Sequence, residues 1–391
     1  MLSARAQSVQ PFHVMQVAKQ AAEIERSLAA GAPMIYLNIG EPDFVAPLPV
    51  QAAARAAIDA GLTQYTPALG LDALRQRISD WYAQRFGVAV DAARIVITAG
   101  ASGALQLAAM ALLDAGDEWL MPDPSYPCNR QILAAIGASA RLLPTGAGQR
   151  YQLTAGQVEQ AWGPRTRGVL LASPSNPTGT SIAPDELRRI HQVVKARGGV
   201  TVIDEIYLGL SHDPRYGQTA LALDESIVSL NSFSKYFGMT GWRLGWMVLP
   251  ASAVPAVERL QQNFFICAST IAQHAALACF EPESIAECER RRIEFAARRD
   301  YFLPALRELG FGIPVQPDGA FYVWADASPL FARLGVRDSS ELVELLLRRC
   351  HLVVTPSRDF LADDPGTHLR FSTASSMAQL REAVARLRAL A

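Results

Sequence analysis

The sequence predicts an α/β fold built on a mostly parallel sheet. Between about residues 94 and 249, short runs rich in β-branched residues alternate with helical patterns, which is typical of βαβ units. The chain has 391 residues, of which 50% are hydrophobic, so it can bury a large core and form more than one domain. The composition changes after this region, which predicts a second, smaller unit.

The predicted strands are the β-branched runs, and the predicted helices lie between them. The strands cover residues 94–98, 118–121, 168–173, 200–204, 227–230 and 244–249. The helices cover residues 102–113, 127–136 and 184–196. The last of these helices has a proline in its first turn, followed by two acidic residues, which is a common arrangement at helix N-termini.

A long helix is predicted where the composition changes. Residues 283–310 are rich in Arg and Glu at helical spacing, which indicates a solvent-exposed helix linking two domains. The smaller α+β unit that follows should contain a strand at 319–324, a helix at 339–350, short strands near 352–355 and 369–371, and a final helix from residue 377.

The first 45 residues contain an amphipathic helix around residues 13–30 but no complete core. We expect them to pack on the smaller unit. The predicted domains are therefore a large one over 46–285 and a small one built from 1–45 and 286–391.

Charge and composition exclude several classes of function. The 36 basic and 37 acidic residues nearly cancel, which argues against nucleic acid or an anionic membrane as the main partner. No segment approaches the roughly 20 apolar residues of a membrane span, and no secretion signal is visible. The five cysteines are odd in number and widely spaced, which is typical of reduced thiols, and the six histidines form no metal-ligand pattern. We expect a cytoplasmic protein without a metal.

Residues 232–245 surround one lysine with hydroxyls, glycines and an arginine. A crowded apolar loop and a nearby guanidinium should lower the pKa of Lys235 and make its amine nucleophilic. Arg243 is suited to hold a phosphate through paired donors. A Schiff-base lysine beside a phosphate clamp suggests pyridoxal 5'-phosphate (PLP). The alternative is a surface loop with solvated charges, and the rest of the chain decides between them.

Polar clusters follow four of the predicted strands, at the sheet edge where ligands of α/β folds bind. Residues 98–104 form a small-residue turn into a helix, where free N–H groups favour an anion near Ala101 and Ser102. The alternative is a tight turn in which Ser102 is only the helix N-cap. The turn lacks the glycine patterns of dinucleotide-binding and P-loop proteins.

The other polar clusters also supply candidate ligands. Two prolines near Asn176 should hold a rigid turn that aims its amide into a pocket. Asp204 ends a buried strand, so it needs a cationic partner such as a protonated pyridine nitrogen, and Tyr207 follows three residues later. A helix-capping Asp or a core ion pair is the alternative for Asp204.

The order Asn176, Asp204, Tyr207, Ser232, Lys235 and Arg243 resembles that of the class I and II aminotransferases of PLP fold type I. The resemblance extends over nearly the whole chain, through residues 37–44 (LNIGEPDF), 64–67 (QYTP), Gly70 and 368–371 (HLRF). It implies a large domain with a seven-stranded, mostly parallel sheet and a smaller α+β domain. It also implies an enzyme of amino-acid metabolism that moves the amino group of an L-amino acid to a 2-oxo acid, by a ping-pong mechanism through a Lys235 aldimine.

The resemblance implies a role for each matched residue. Lys235 would carry the cofactor and then move the proton between Cα and the cofactor. Asp204 would pair with the pyridine nitrogen, while Tyr207 and Asn176 would hydrogen-bond the ring hydroxyl oxygen. The remaining cofactor contacts would be Tyr126, stacked on the ring, and the phosphate ligands Ala101, Ser102, Ser232 and Arg243.

Substrate binding and assembly follow from the same resemblance. Arg370 would clamp the substrate α-carboxylate, a bidentate task that suits arginine better than lysine. Gly40 and Asn176 would line the same pocket. Tyr65 would reach the phosphate of the neighbouring subunit, which implies a homodimer with shared sites. Without the resemblance, Arg370 would be assigned to a surface ion pair, Tyr65 to the core and Gly40 to a turn.

The sequence leaves the substrate open. Some aspartate-using relatives have a lysine where this chain has Ser102, and its absence weakens the case for aspartate. Several aromatic residues could form an apolar pocket or be ordinary core residues, namely Phe12, Tyr126, Phe264, Phe265 and Phe321.

Two other functions remain as alternatives. The first is a PLP-dependent carbon–sulfur β-lyase, which would use the same lysine, aspartate and arginine. The second is a non-catalytic PLP-binding module within a regulator. The second alternative is weakened because the chain begins close to the N-terminal segment of the fold and has no basic DNA-binding segment.

Overall fold

The computed structural model describes residues 2–3, 6–7, 9–11, 13–26 and 33–390. The strands are β1 Ile35–Tyr36, β2 Ile95–Thr98, β3 Glu118–Asp123, β4 Ser139–Pro144, β5 Thr166–Ala172, β6 Val200–Asp204, β7 Val228–Ser232, β8 Gly245–Val248, β9 Tyr322–Asp326, β10 Leu352–Val353, β11 Thr355–Pro356 and β12 His368–Ser372. The helices are α1 His13–Glu25, α2 Leu48–Asp59, α3 Asp72–Phe86, α4 Gly100–Leu112, α5 Pro127–Ala135, α6 Ala155–Ala161, α7 Pro184–Ala196, α8 Val254–Phe264, α9 Thr270–Leu277, α10 Pro282–Glu308, α11 Phe331–Leu334, α12 Ser339–Leu345 and α13 Met377–Leu390.

The central sheet has seven strands in the order β2-β8-β7-β6-β5-β3-β4. Every neighbouring pair is parallel except those of β8, which runs antiparallel to β2 and β7. The predicted α/β class and mostly parallel sheet are therefore confirmed. Six of the seven strands coincide with predicted strands, whereas β4, an edge strand without a buried β-branched run, was not predicted.

Polar residues follow the carboxyl ends of β2, β5, β6 and β7, which lie at one edge of the sheet. Helix α4 begins at Gly100, two residues earlier than predicted, and its N-cap is Ala99. Ser102 is therefore inside the first turn, and the alternative that it is the N-cap is wrong.

The long helix α10 occupies the predicted position, but it is not the solvent-exposed linker that its composition indicated. Its buried face includes Arg291, Phe295, Arg298 and Phe302. Phe295 belongs to the apolar cluster around Trp81 and Trp246 of the large sheet unit, whereas Phe302 belongs to the cluster around the small sheets. The arginines are buried because they bind groups of the N-terminal segment, as described below.

The C-terminal part forms a three-stranded antiparallel sheet in the order β11-β12-β9. The N-terminal strand β1 pairs in parallel with β10, which joins the N-terminal segment to this unit. Val17 and Ala21 of α1 belong to its apolar cluster. Helix α1 ends at Glu25, and residues 27–30 of the predicted helix lie outside the described residues. Across the described ranges, no helix has the length and apolar character needed to cross a membrane.

Candidate active site

A cavity of about 460 Å³ lies at the carboxyl ends of the parallel strands. Twelve residues were predicted for the site, and all of them except Tyr65 line this cavity. The eleven that do are Gly40, Ala101, Ser102, Tyr126, Asn176, Asp204, Tyr207, Ser232, Lys235, Arg243 and Arg370. The fold thus brings together side chains that are as much as 330 residues apart in the sequence.

Lys235 lies three residues beyond β7, and its ammonium group is buried in the cavity wall. Nζ donates a hydrogen bond of 2.6 Å to the carbonyl oxygen of Gly40. Burial lowers the pKa of Lys235 to about 8, with smaller contributions from Arg243 and Arg370, while Glu41 acts in the opposite direction. An amine with this pKa is partly neutral near physiological pH, so it can act as a nucleophile or a base.

Asp204 is the last residue of β6 and its carboxylate is buried. Its Oδ1 accepts a hydrogen bond of 3.0 Å from the backbone N–H of Ile206, but the N-cap of the short helix that follows, Leu208–Leu210, is Tyr207, so the alternative of a helix-capping Asp is wrong. Burial raises the pKa of Asp204 to about 6. Within the described part of the chain, no cation lies at ion-pair distance from this carboxylate. The site is therefore suited to a positively charged ligand atom.

The first turn of α4, in contrast, is suited to a negatively charged ligand group. No side chain caps this turn at Ala99, so its first N–H groups are available to an anion. Arg243 lines the same part of the cavity and donates 3.0 Å from Nη1 to the carbonyl of Thr240. Gly100 has a φ of 72°, and a Cβ there would lie 2.7 Å from Arg243 Nη2. Only glycine allows the guanidinium to approach the turn this closely.

Ser232 ends β7 beside the arginine. Its Oγ accepts a hydrogen bond from the Ser234 backbone N–H and can donate either to Ser234 Oγ at 2.9 Å or to the carbonyl of Leu244 at 3.2 Å. The Ser232 oxygen is therefore held at the cavity wall, next to the lysine loop.

Arg370 is part of β12 and is only 2% exposed, so the alternative of a surface ion pair is wrong. Its Nη1 donates to Asn176 Oδ1 at 2.8 Å and its Nη2 donates to the carbonyl of Asn38. The guanidinium lies over the rings of Tyr322 and Phe360, 4.6 and 4.8 Å from their centroids. Its Nε is buried and has no hydrogen-bond partner within the described ranges, which leaves a donor for a ligand carboxylate.

Tyr322 of β9 is a site residue that sequence analysis missed. Its hydroxyl lies 2.7 Å from that of Tyr207, and both tyrosines line the cavity. Burial raises the pKa of both phenols, so both remain protonated. A Cβ on Gly40 would lie 2.1 Å from Tyr322 Oη, which explains the glycine. Residues 319–324 were predicted to form a strand, and Tyr322 lies within it. The sequence did not show which side chains of this strand face the cavity, so Tyr322 was not assigned to the site.

The remaining aromatic residues are placed differently from expectation. Tyr126 lines the cavity, and burial raises its pKa. Phe264 is half exposed and Phe321 is buried in the core, and neither lines the cavity. Phe12 lies outside the described residues. The apolar wall is instead aliphatic, formed by Val14, Ala18, Ile39, Leu105 and Ile132.

Comparison with known proteins identifies the family. Residues 32–387 match the family described as aminotransferase class I and II. The chain belongs to this family. It is 39% identical to a valine–pyruvate aminotransferase of Mycobacterium tuberculosis, over 97% of this chain and 96% of that protein. It is 33% identical to an aspartate aminotransferase of Geobacillus stearothermophilus, over 99% of this chain and 98% of that protein.

A solved structure of an aminotransferase from Mycobacterium tuberculosis has the same fold, with a TM-score of 0.93, 38% identity and coverage of 100% of this chain and 98% of that one. The class I and II aminotransferase described here is therefore a PLP fold type I enzyme that transfers amino groups. Both the family and the PLP dependence agree with the sequence prediction.

The cavity of this aminotransferase fits PLP at three points. The buried carboxylate of Asp204 suits a protonated ring nitrogen, the uncapped turn of α4 with Arg243 suits a phosphate, and the amine of Lys235 suits an aldehyde. No cluster of His, Cys, Asp or Glu that could hold a metal occurs in the described part of the chain.

Proposed function

We propose that this aminotransferase moves the amino group of an L-amino acid with a neutral side chain to a 2-oxo acid, in two half-reactions with ping-pong kinetics. The observation that carries the proposal is the pairing, in one cavity, of a lysine whose pKa is about 8 with a buried arginine that keeps an unused donor. The lysine moves the proton and the arginine binds the α-carboxylate.

The cofactor would be held by residues of the large sheet unit. Asp204 would keep the ring nitrogen protonated, Tyr126 would stack on the ring, and Tyr207 and Asn176 would bind the ring hydroxyl oxygen. The phosphate ligands would be Ala101, Ser102, Ser232 and Arg243. When bound, PLP supplies an aldehyde carbon that takes up the amino group and a ring that withdraws electrons from Cα.

Lys235 is the catalytic base and acid at Cα. Its burial keeps part of the amine neutral, so it can take up the Cα proton near physiological pH. Arg370 binds the α-carboxylate, and its contacts with Asn176 and Asn38 fix the direction of its fork. Gly40 lines this pocket from the N-terminal segment.

The neutral side chain of the substrate follows from the charges of the cavity. Of the described residues that line it, only Lys235, Arg243 and Arg370 are cationic, and each has a role in the proposal. Ser102 stands where some relatives have a lysine, and the wall around Leu105 and Ile132 is aliphatic. A distal carboxylate would therefore lack a cationic partner among the described residues of its own subunit that line the cavity. The name of the mycobacterial valine–pyruvate aminotransferase supports the same class of substrate.

The proposal includes a homodimer in which Tyr65 reaches the phosphate of the partner subunit. Tyr65 is 79% exposed and does not line the cavity of its own subunit. Without the family resemblance it would have been assigned to the core, and that expectation is wrong. The neighbouring backbone at Gln64 accepts a hydrogen bond of 2.7 Å from Thr270 at the start of α9. Phe264 and Ile266, just before α9, are about half exposed, and such apolar exposure is typical of an interface.

We also propose the domain division 46–285 against 1–45 with 286–391, supported by an apolar cluster whose buried members all come from residues 17–37 and 302–387. A cytoplasmic location is supported by the cysteines, all five of which are free thiols.

Initial-rate kinetics with a panel of L-amino acids and 2-oxo acids tests the function. We expect parallel lines in double-reciprocal plots and the highest kcat/KM with aliphatic donors. Intersecting lines would contradict the ping-pong mechanism, and a preference for aspartate would contradict the charge argument. Pyruvate and ammonia released without any acceptor would instead favour the carbon–sulfur β-lyase alternative.

A further inference from the structure

The segment between β1 and α2, residues 37–45, has no regular secondary structure, yet it crosses the wall of the cavity. We call it the crossing segment. Its carbonyl oxygens bind two site cations, because Gly40 accepts from Lys235 and Asn38 accepts from Arg370. The position of this irregular backbone therefore helps to determine where both side chains lie.

The first end of the crossing segment is fixed by sheet contacts. Leu37 N–H donates 2.8 Å to the carbonyl of Val353, and Leu37 accepts 2.7 Å from the N–H of Ser372. Ser372 belongs to β12, the strand that carries Arg370. This end is thus attached to the same sheet as the substrate arginine.

The second end is fixed by the helix α10. Arg298 donates from Nη1 and Nη2 to the two carboxylate oxygens of Asp43, at 2.8 and 3.0 Å. Arg298 is buried, and it also donates 2.8 Å to the carbonyl of Ala374 and 3.1 Å to Glu294. Nearby, Arg291 donates 2.6 Å to the carbonyl of Val45. Asp43 lies at the surface, with 30% of its side chain exposed, but a bidentate pair with a buried arginine still fixes both distance and orientation.

Phe44, between these two anchors, lies under the guanidinium of Arg298 at 4.9 Å from the ring centroid. The fit on the cavity side is equally close, because Gly40 leaves no space for a Cβ beside Tyr322 Oη. The crossing segment is therefore confined from both sides, and loss of one anchor would let it move.

We propose that Asp43 and Arg298 are positioning residues that act through the crossing segment on Lys235 and Arg370. The inference rests on the proposed function, because it assigns those two residues their roles. Neither Asp43 nor Arg298 lines the cavity. Their pair keeps the Gly40 carbonyl against the lysine amine and keeps water out of that contact.

The first test needs no turnover. The chain contains three lysines, Lys19, Lys195 and Lys235, so competitive labelling of cofactor-free protein with acetic anhydride, followed by mass spectrometry, gives the pKa of each. Asp43→Asn and Arg298→Lys should admit water and raise the pKa of Lys235 by about 0.5–1 unit, because burial is what lowers it. Lys195, whose Nζ binds Asp224 on the surface, is the internal reference.

Glu294→Gln is the matched control, since it changes another ligand of Arg298 and leaves the pair with Asp43 in place. We expect no change at Lys235 in this variant. An unchanged Lys235 pKa in both Asp43→Asn and Arg298→Lys would overturn the proposal. If one of the two variants fails to fold, the other decides the result.

The second test uses the cofactor-loaded enzyme. Asp43→Asn and Arg298→Lys should lower kcat/KM for the amino acid about 10- to 100-fold, with part of the loss in KM, whereas Glu294→Gln should stay within about twofold. Equal loss in all three variants, in proportion to their loss of thermal stability, would indicate a purely structural role. Wild-type protein without any transfer activity would refute the proposed function, but the labelling result would still stand.

Discussion

Replacement of Arg370 by Gln tests the carboxylate site directly. Arg370 is 2% exposed, stacks on two rings and uses two of its nitrogens on Asn176 and Asn38. Glutamine keeps polarity and part of the volume but removes the charge and the fork. The substrate carboxylate would then be buried without its cation.

The loss of one partner of a buried charge pair costs about 2–5 kcal/mol. At 1.36 kcal/mol for each factor of ten, kcat/KM for an L-amino acid should fall roughly 30-fold to several-thousand-fold. Arg370→Lys keeps the positive charge but cannot donate two parallel hydrogen bonds to the carboxylate. Its kcat/KM should therefore fall by a smaller factor than that of Arg370→Gln.

The assay compares two donors that differ only in the carboxylate, valine and isobutylamine, in single-turnover reactions of the cofactor-loaded protein. Wild type should prefer valine strongly. In Arg370→Gln the rate with valine should fall by the factor given above, while the rate with isobutylamine should change little. Equal losses with both donors would refute the assignment of Arg370, because the damage would then not depend on the carboxylate.

Three further predictions concern the cofactor site. Lys235→Ala should abolish transfer, measured as 2-oxo acid formed, and retained turnover would exclude Lys235 as the base. Gly100→Ala should weaken PLP binding at least tenfold in equilibrium titration, because its Cβ would meet Arg243 and φ is 72°; unchanged affinity would contradict the phosphate assignment. Asp204 has a raised pKa of about 6, so cofactor-free wild type should lose about 2 kcal/mol of folding stability between pH 4 and 6 relative to Asp204→Asn, measured by denaturant unfolding. If the unfolding free energies of wild type and Asp204→Asn changed in parallel with pH, the claim that burial of the ionised Asp204 destabilises the cofactor-free protein would be contradicted.

The sign of the last prediction follows from proton binding. A carboxyl whose pKa is raised on folding binds its proton more tightly in the folded state, so its contribution to stability is favourable at low pH and is lost as pH rises through about 6. A cation bound beside Asp204 would stabilise the ionised carboxylate and so reverse this loss of folding stability. PLP should therefore stabilise wild type more than Asp204→Asn at neutral pH.

Much of the site could be predicted because its residues occur at sequence positions with a local signature. Asp204 and Ser232 end buried strands, Ala101 and Ser102 begin a helix, and the parallel topology brings these ends together. Lys235 and Arg243 were found from one crowded loop. Such local patterns need no knowledge of long-range contacts.

The features that were missed depend on long-range contacts. Tyr322 reaches Tyr207 across 115 residues, and Arg298 reaches Asp43 across 255. Helix α10 looked solvent-exposed because arginine is usually on the surface, yet Arg291 and Arg298 are buried against the crossing segment. The exposure of a charged residue depends on its partner, and the sequence alone does not identify the partner.

The most direct test of the central claim is a single half-reaction without an acceptor. The cofactor-loaded protein is mixed with excess L-valine, and 2-oxo acid and ammonia are quantified. The account predicts one 2-oxo acid per subunit and no ammonia, with neither product in Lys235→Ala. Continued release of 2-oxo acid together with ammonia would contradict amino-group transfer as the reaction of this site.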